Sequence, residues 1–256
     1  MSKRPFLRPL PRVSAAVQDF LSETYLESVE SGRVSLRALA ARLNVSPPAV
    51  SRMAQRLVRQ GLLRREGACG LVLSELGERV ALRAIRKRRI FEVFLVEKLG
   101  YTWDEVYPVA ASCSNYLDDD LVERMYAQLG RPTRCPHGDP IPTADGRMEL
   151  PSSLRLDMLP EGARGVVGRI ASQDAEMLRY LALLRIVPGV PIQLVSRAPF
   201  SGPLRIRVAN GAFFDEHVIG NELAAKIWVE GVEPNDEAVA RMQSRNGRAE
   251  DCHSAR

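Results

Sequence analysis

Apolar side chains recur at helical spacing through the first half of the chain and at alternate positions through much of the second. Between Ser14 and about Val29, the residues Ala16, Val17, Phe20, Leu21, Tyr25 and Val29 mark one face of a helix that ends near Gly32. From Ser35 to Arg65 the run SLRALAARLNVSPPAVSRMAQRLVRQGLLRR predicts helix, tight turn, helix and the start of a strand. The first of these helices turns Leu36, Leu39, Ala40 and Leu43 inward. Asn44-Val45 makes the turn, Ser46 caps the second helix, and Pro47 and Pro48 fall in its first turn, where N–H groups have no helical partner to lose. That helix buries Val50, Met53, Ala54, Leu57 and Val58 and stops at Gly61. Leu62–Arg65 and Leu71–Ser74 then read as two short strands about a glycine-bearing turn, residues 66–70, which makes a β-wing.

Ser74 has the form of a helix start, with Glu75 and Glu78 at the positive N-terminal end. The helix continues for about 24 residues to Gly100, some 36 Å at 1.5 Å per residue. Its middle, Arg86–Arg89, is entirely basic, and its second half is apolar nearly all round, which predicts burial and a subunit interface. Thr102 caps a further helix from Trp103 to about Tyr116, and Asp118 caps another from Asp119 to Leu129. Gly130 to Leu159 is rich in Pro and Gly and reads as an extended connector. After Leu159 the period falls to two, with short β-like runs at 164–170, 191–196, 204–208, 217–219 and 225–230 and a brief helix at 174–184. Five short strands in so small a span predict a small β-barrel of SH3-like type. The expected organisation is α+β: a flexible arm at 1–12, a winged helix-turn-helix at 13–75, a helical dimerisation domain at 76–130, a linker at 131–158, the SH3-like domain at 159–232 and a disordered tail at 233–256.

Charge sharpens this picture. Residues 1–100 hold 19 Lys/Arg against 9 Asp/Glu, while residues 101–256 hold 17 against 22. A positive half that contains a helix-turn-helix is the electrostatic footprint of a polyanion partner. No apolar run approaches the length of a membrane span, and the basic N-terminus has no apolar core of a secretory signal. Cys69, Cys113, Cys135 and Cys252 are far apart and form no CxxC pair, as expected of reduced cytoplasmic thiols.

The polar face of the second helix carries Ser51, Arg52, Gln55, Arg56 and Arg59. Arginine bonds guanine bidentately, and hydroxyls and N-terminal amides hold phosphates, so this face suits the major groove of double-stranded DNA. Ser46, Pro48, Ser51, Arg52, Gln55 and Arg56 are the residues expected at the groove, with Arg59, Arg64 and Arg65 on the phosphates. Read blandly, the same stretch is a two-helix corner with a solvated basic face.

The layout resembles the diphtheria-toxin-repressor and manganese-regulator family of bacterial metal-responsive repressors over about residues 13–232. The matching stretches are NVSPPAVSRMAQRLVRQGLL, LVLSELGE, RKRRIFEVFLVEKLG, LDDDLVERMY and CPHGDPIP. The resemblance implies a homodimeric repressor with a FeoA-like C-terminal domain, responding to Mn²⁺ or Fe²⁺ held between the first helix and the dimerisation helices. Of the family's ligand positions, the first helix offers Asp19 and the long helix keeps Glu92. The family's histidine falls on Arg88, and the remaining positions are Ala111, Ser114 and Asn115. Arg88 therefore stands where a ligand is expected, and a guanidinium has no lone pair to give. It can instead pair directly with Asp19 or Glu92. A shifted site is also open, with Asp19 and Glu23 at i, i+4 on one helix face and Glu92, Cys113 and Asp118 approaching. Against it stand Asp19 and Glu23 as a solvated face, Glu92 as a partner of nearby arginines and Cys113 as a small core residue, while Asp174 and Glu176 read equally as ancillary ligands or as helix N-terminal groups. Cys135-Pro-His137 has metal-like residue types on what the family uses as a turn.

An enzyme is not expected. A winged helix with an SH3-like end also resembles regulatory biotin–protein ligases, but no nucleotide-binding glycine loop is present and the middle reads as helical. No small-molecule substrate and no membrane partner is indicated. The alternative is a metal-independent regulator that responds to another ligand or partner through the SH3-like domain.

Overall fold

The computed structural model describes residues 10–66 and 70–233. It divides into two compact units, one built from the chain up to Tyr101 with Val106–Cys135 and Pro140–Glu149, the other from Thr102–Glu105, Pro136–Asp139 and the chain from Leu150 onward.

The first unit opens with α1 (Ala15–Ser31), closed by Gly32 in the left-handed region with its N–H on the Ser28 carbonyl. Helices α2 (Leu36–Arg42) and α3 (Pro47–Arg59) follow, joined through Asn44 at φ 51°, a left-handed turn residue. Strands β1 (Leu63–Glu66) and β2 (Gly70–Leu73) pair antiparallel with Leu63 opposite Leu73, and Val34 bridges to Gly70 and Leu71 at the side of this wing. Gly67, Ala68 and Cys69 of the expected wing turn lie outside the described residues, as do residues 1–9 of the expected arm and 234–256 of the expected tail. The core of this head joins Phe20 and Leu21 of α1, Leu39 of α2, Val50, Ala54 and Leu57 of α3, and Val80, Ala81 and Ile85 of the next helix. Leu36, expected inward, is exposed, because it lies in the first turn of α2 beyond the edge of that core.

Helix α4 (Glu75–Leu99) is the spine of the unit. Ser74 caps it by accepting from the Gly77 N–H at 3.0 Å and donates its own hydroxyl to the Gly61 carbonyl at 2.7 Å, which ties the end of α3 to the start of α4. Helix α5 (Val106–Cys113) is shorter than the expected Trp103–Tyr116. Thr102 and Glu105 close a separate turn, with the Thr102 N–H on the Glu105 carboxylate at 3.1 Å. Pro108 then falls in the first turn of α5, where it costs no helical bond, and residues 114–116 tighten into a 3₁₀ turn. Asp118 caps α6 (Asp119–Gln128) through the Asp120 N–H at 2.8 Å. The Pro/Gly-rich stretch is extended, yet its 140–149 segment packs against α4 because Arg86 and Arg89 donate to the Pro142 and Pro140 carbonyls at 2.7 and 2.5 Å.

The second unit is a six-stranded antiparallel sheet in the order β3-β8-β4-β5-β6-β7. Its strands are β3 (Ser153–Arg155), β4 (Arg164–Ile170), β5 (Pro191–Arg197), β6 (Leu204–Asn210), β7 (Phe213–Ile219) and β8 (Ile227–Glu233), with α7 (Ala175–Leu183) and the single turn α8 (Asn221–Ala224). Leu204, Ile206 and Val208 of β6 point inward while Arg205 and Arg207 point out, the alternation that identified the strand. Two differences from expectation have one cause. Strand β3 is only three residues long, and β7 begins four residues early with Phe213 and Phe214 turned to solvent, so neither shows a readable apolar–polar alternation in its sequence. Asp174 caps α7 through the Met177 N–H at 2.9 Å, which gives it the structural role.

A Cβ on Gly77 would lie 1.9 Å from the Leu62 carbonyl oxygen, so the first turn of α4 sits directly on the backbone that leaves α3. Gly77→Ala is expected to cost about 1–3 kcal/mol through overpacking, read as a lowered thermal midpoint.

Candidate nucleic-acid interface and regulatory junction

Helix α3 buries Val50, Ala54 and Leu57 against the head and presents the opposite face to solvent. On that face Ser46, Pro48, Arg52, Gln55, Arg56 and Arg59 are exposed and Ser51 is half-buried. Met53 and Val58, expected inward, are half-buried at the margin. Ser46 occupies the cap position by its backbone, but its hydroxyl makes no capping bond, which corrects the expectation for that side chain. Arg56 lies 2.9 Å from the Met53 sulfur. Arg64 and Arg65 stand exposed on β1 of the wing, opposite Val72 and Leu71. Among the described residues no carboxylate pairs with Arg52, Arg59, Arg64 or Arg65.

The basic run on α4 is of another kind. Arg86, Lys87, Arg88 and Arg89 are all buried. Arg86 pairs with Glu123 at 2.8 Å and lies over the Tyr126 ring at 4.3 Å. Lys87 pairs with Asp119 at 2.9 Å and donates to the Leu117 carbonyl at 2.7 Å, and Arg83 also pairs with Asp119. These cations hold α6 and the connector to α4. They are not part of a surface charge, although their number contributed to the polyanion footprint read from the sequence.

The expected metal positions meet where α1, α4 and α5 adjoin. Glu23 of α1 is 5% exposed, not a solvated face, because two guanidiniums grip it: Arg42 Nε at 2.9 Å and Arg88 Nη1 at 3.4 Å. Arg88 lies over the Tyr107 ring at 5.4 Å. Burial works against its charge, but Tyr107, Glu23, Glu92 and Asp19 outweigh that and hold its pKa above the ordinary arginine value. Asn115 donates its side-chain amide to Asp19 at 2.6 Å. Burial raises the Asp19 carboxyl above the usual aspartate value, an effect opposed by Asn115 and Arg88 and reinforced by Glu23. Glu92 is 3% exposed in α4 and acts electrostatically on Arg88. Ala111 has no donor atom to offer, Ser114 is buried in the 3₁₀ turn, and Cys113 is exposed rather than a core residue. Tyr107 and Arg42 were not foreseen as members of this cluster. Arg42 carried only its place in the last turn of α2, and Tyr107 only its proximity to the expected ligand helix.

Sequence models of three families match the chain. They are the iron dependent repressor metal binding and dimerisation domain over residues 74–143, the FeoA domain over 154–231 and the MarR family over 24–69. The iron-dependent repressor of Mycobacterium tuberculosis is 32% identical over 220 residues, covering 84% of this chain and 80% of that protein. The chain belongs to the iron-dependent repressor family. The diphtheria toxin repressor of Corynebacterium efficiens is 32% identical over 190 residues, with 68% and 83% of the two chains covered. A solved manganese-dependent transcriptional repressor in complex with manganese superposes with a TM-score of 0.79 at 35% identity, over 84% of this chain and 99% of that one. The family is one of transcriptional repressors with a helix-turn-helix head and an SH3-like FeoA domain, as the sequence implied. Among the described residues no helix is long and apolar enough to cross a membrane.

The positions onto which the family's ligands map do not fit a divalent cation. Asn115 turns N–H groups to Asp19, Ala111 supplies nothing, and a permanent positive charge occupies the space beside the carboxylates.

Because burial lifts the Asp19 pKa, the folded protein holds that proton more tightly than the unfolded chain does. Asp19 therefore favours the fold most below the unfolded carboxylate value, about 3.9, and less as pH rises through the folded value. Asn115→Leu removes the donor and is expected to raise the Asp19 pKa further. NMR titration of the Asp19 carboxyl checks this; an unchanged or lowered value means the amide does not stabilise the carboxylate.

Proposed function

We propose that the protein is a homodimeric, sequence-specific DNA-binding repressor acting in the cytoplasm, which presents α3 to the major groove and the wing to the backbone. The observation that carries this reading is the sorting of its cations. The Arg86–Arg89 run of α4 is buried, whereas Arg52, Arg59, Arg64 and Arg65 on the head, like Arg33 and Arg37, are exposed and have no carboxylate partner among the described residues. Side chains left available in this way suit an external polyanion. Ser46, Pro48, Ser51, Arg52, Gln55 and Arg56 lie along or at the N-terminal end of α3, where a recognition helix meets base edges, and Arg59, Arg64 and Arg65 are placed for phosphates.

Dimerisation is supported by exposed apolar groups in the region matched as a dimerisation domain, where Leu99 is 58% and Tyr116 79% exposed. A two-fold dimer would read half-sites one helical turn of DNA apart. The relatives named above are described as iron-dependent and manganese-dependent; Asp19 and Glu92 are the ligand-type residues this chain keeps at the corresponding positions.

Arg52→Ala is expected to lose about 1–3 kcal/mol of affinity for an operator from the protein's own upstream region and little for random DNA. Arg64→Ala is expected to weaken both alike and to reduce the salt slope by about one. Gel-shift or anisotropy titrations over a range of salt separate the two. Equal losses on both DNAs for both variants would overturn this division of roles.

A further inference from the structure

One guanidinium, Arg88 of α4, pairs with Glu23 of α1 and is acted on electrostatically by two further carboxylates, Asp19 of α1 and Glu92 of α4. Glu23 and Glu92 are buried, and buried carboxylates stay ionised only with a compensating positive charge. The sequence resemblance implies a divalent ion between the first helix and the dimerisation helices, where it would supply that charge. Here a tethered group already does so. Arg88 reaches Glu23 at 3.4 Å, lies over Tyr107 of α5 at 5.4 Å, and is shared electrostatically with Glu92 and Asp19. Asn115, just beyond α5, reaches back to Asp19 at 2.6 Å. Side chains thus join α1 to α4, α4 to α5, and the turn after α5 back to α1.

We propose that the Arg88 guanidinium is a built-in replacement for the divalent cation at this junction. It fixes α1 against α4 and α5 when the chain folds, so that the DNA-reading arrangement does not wait for Mn²⁺ or Fe²⁺ at these positions. A guanidinium keeps its proton at all physiological pH values, offers no lone pair and repels a second cation from the same carboxylates. Arg42 of α2 sits on the far oxygen of Glu23 at 2.9 Å, is shared with Glu30 at 3.0 Å and Glu27 at 3.9 Å, and joins the junction to the head. The part of this inference that concerns DNA rests on the function proposed above. The part that concerns the junction does not.

The experiment uses the full-length protein and reads melting without DNA beside operator binding. The wild-type midpoint is expected to agree within about 1 °C between millimolar Mn²⁺ and excess chelator. Arg88→Ala is expected to melt lower, and low-millimolar guanidinium chloride to restore part of the loss relative to equal KCl. A side chain that only fills space gives no such rescue. On operator DNA, wild type is expected to bind equally with Mn²⁺, with Fe²⁺ and with chelator, and Arg88→Ala to lose about tenfold or more, about 1.4 kcal/mol. The proposal is overturned if either metal raises the wild-type midpoint by several degrees or its affinity by about tenfold. It is equally overturned if Arg88→Ala matches wild type. Should Arg88→Ala fail to fold, Arg88→Lys decides: melting near wild type without metal supports the charge role, and recovery only on adding Mn²⁺ overturns it. A wild type that binds no operator in any buffer refutes the DNA reading and leaves the melting comparison to judge Arg88.

Discussion

Four consecutive cations, Arg86 to Arg89, are buried in the middle of α4, and the first unit is arranged around satisfying them. Successive helical residues turn by about 100°, so four in a row point to nearly every side of the helix. Each side must therefore bring a counter-charge or a carbonyl, since an uncompensated buried cation would cost several kcal/mol. Glu123, Asp119 and the Leu117 carbonyl answer on the α6 side, the Pro140 and Pro142 carbonyls on the connector side, and Glu23 on the α1 side. The electrostatic requirement of one short run thus adds to the apolar packing of Val80, Ala81, Ile85, Ile90 and Val93 in fixing the neighbours of α4.

The helix-turn-helix was legible because each of its signals is local: apolar spacing, a proline pair inside a helix start, a glycine after a helix end. The sheet was legible where strands alternate, as in β6, and illegible where a strand is three residues long or shows aromatics to solvent, as in β3 and at the start of β7. Site residues divide the same way. Asp19, Arg88 and Glu92 could be placed on their helices by pattern and resemblance, but Arg42 and Tyr107 come to the junction through tertiary packing, which no spacing announces. The basic run misled in an instructive sense. A count of charges says nothing of whether they face water, and here the largest cluster faces inward.

The same distinction bears on recognition. If all the cations of the first half lay on the surface, the molecule would hold any polyanion broadly. With the α4 cluster held inside, Arg52, Arg56, Arg59, Arg64 and Arg65 stand exposed on α3 and the wing, two elements whose backbones are tied to one core, and Arg33 and Arg37 lie exposed between α1 and α2 and on α2. Concentrating the charge in this way favours one docking orientation over many.

The absence of room between Gly77 and the Leu62 carbonyl gives the unit a mechanical property. Helix α4 carries the charged junction near its middle and meets the reading head at its first turn, with the Ser74 hydroxyl bonded to Gly61 at the same place. Any side chain at residue 77 would push the first turn of α4 off the backbone that leaves α3. The junction and the seat of the reading head thus lie on one helix, and the close approach of that helix to the end of α3 depends on a glycine that carries no functional group of its own.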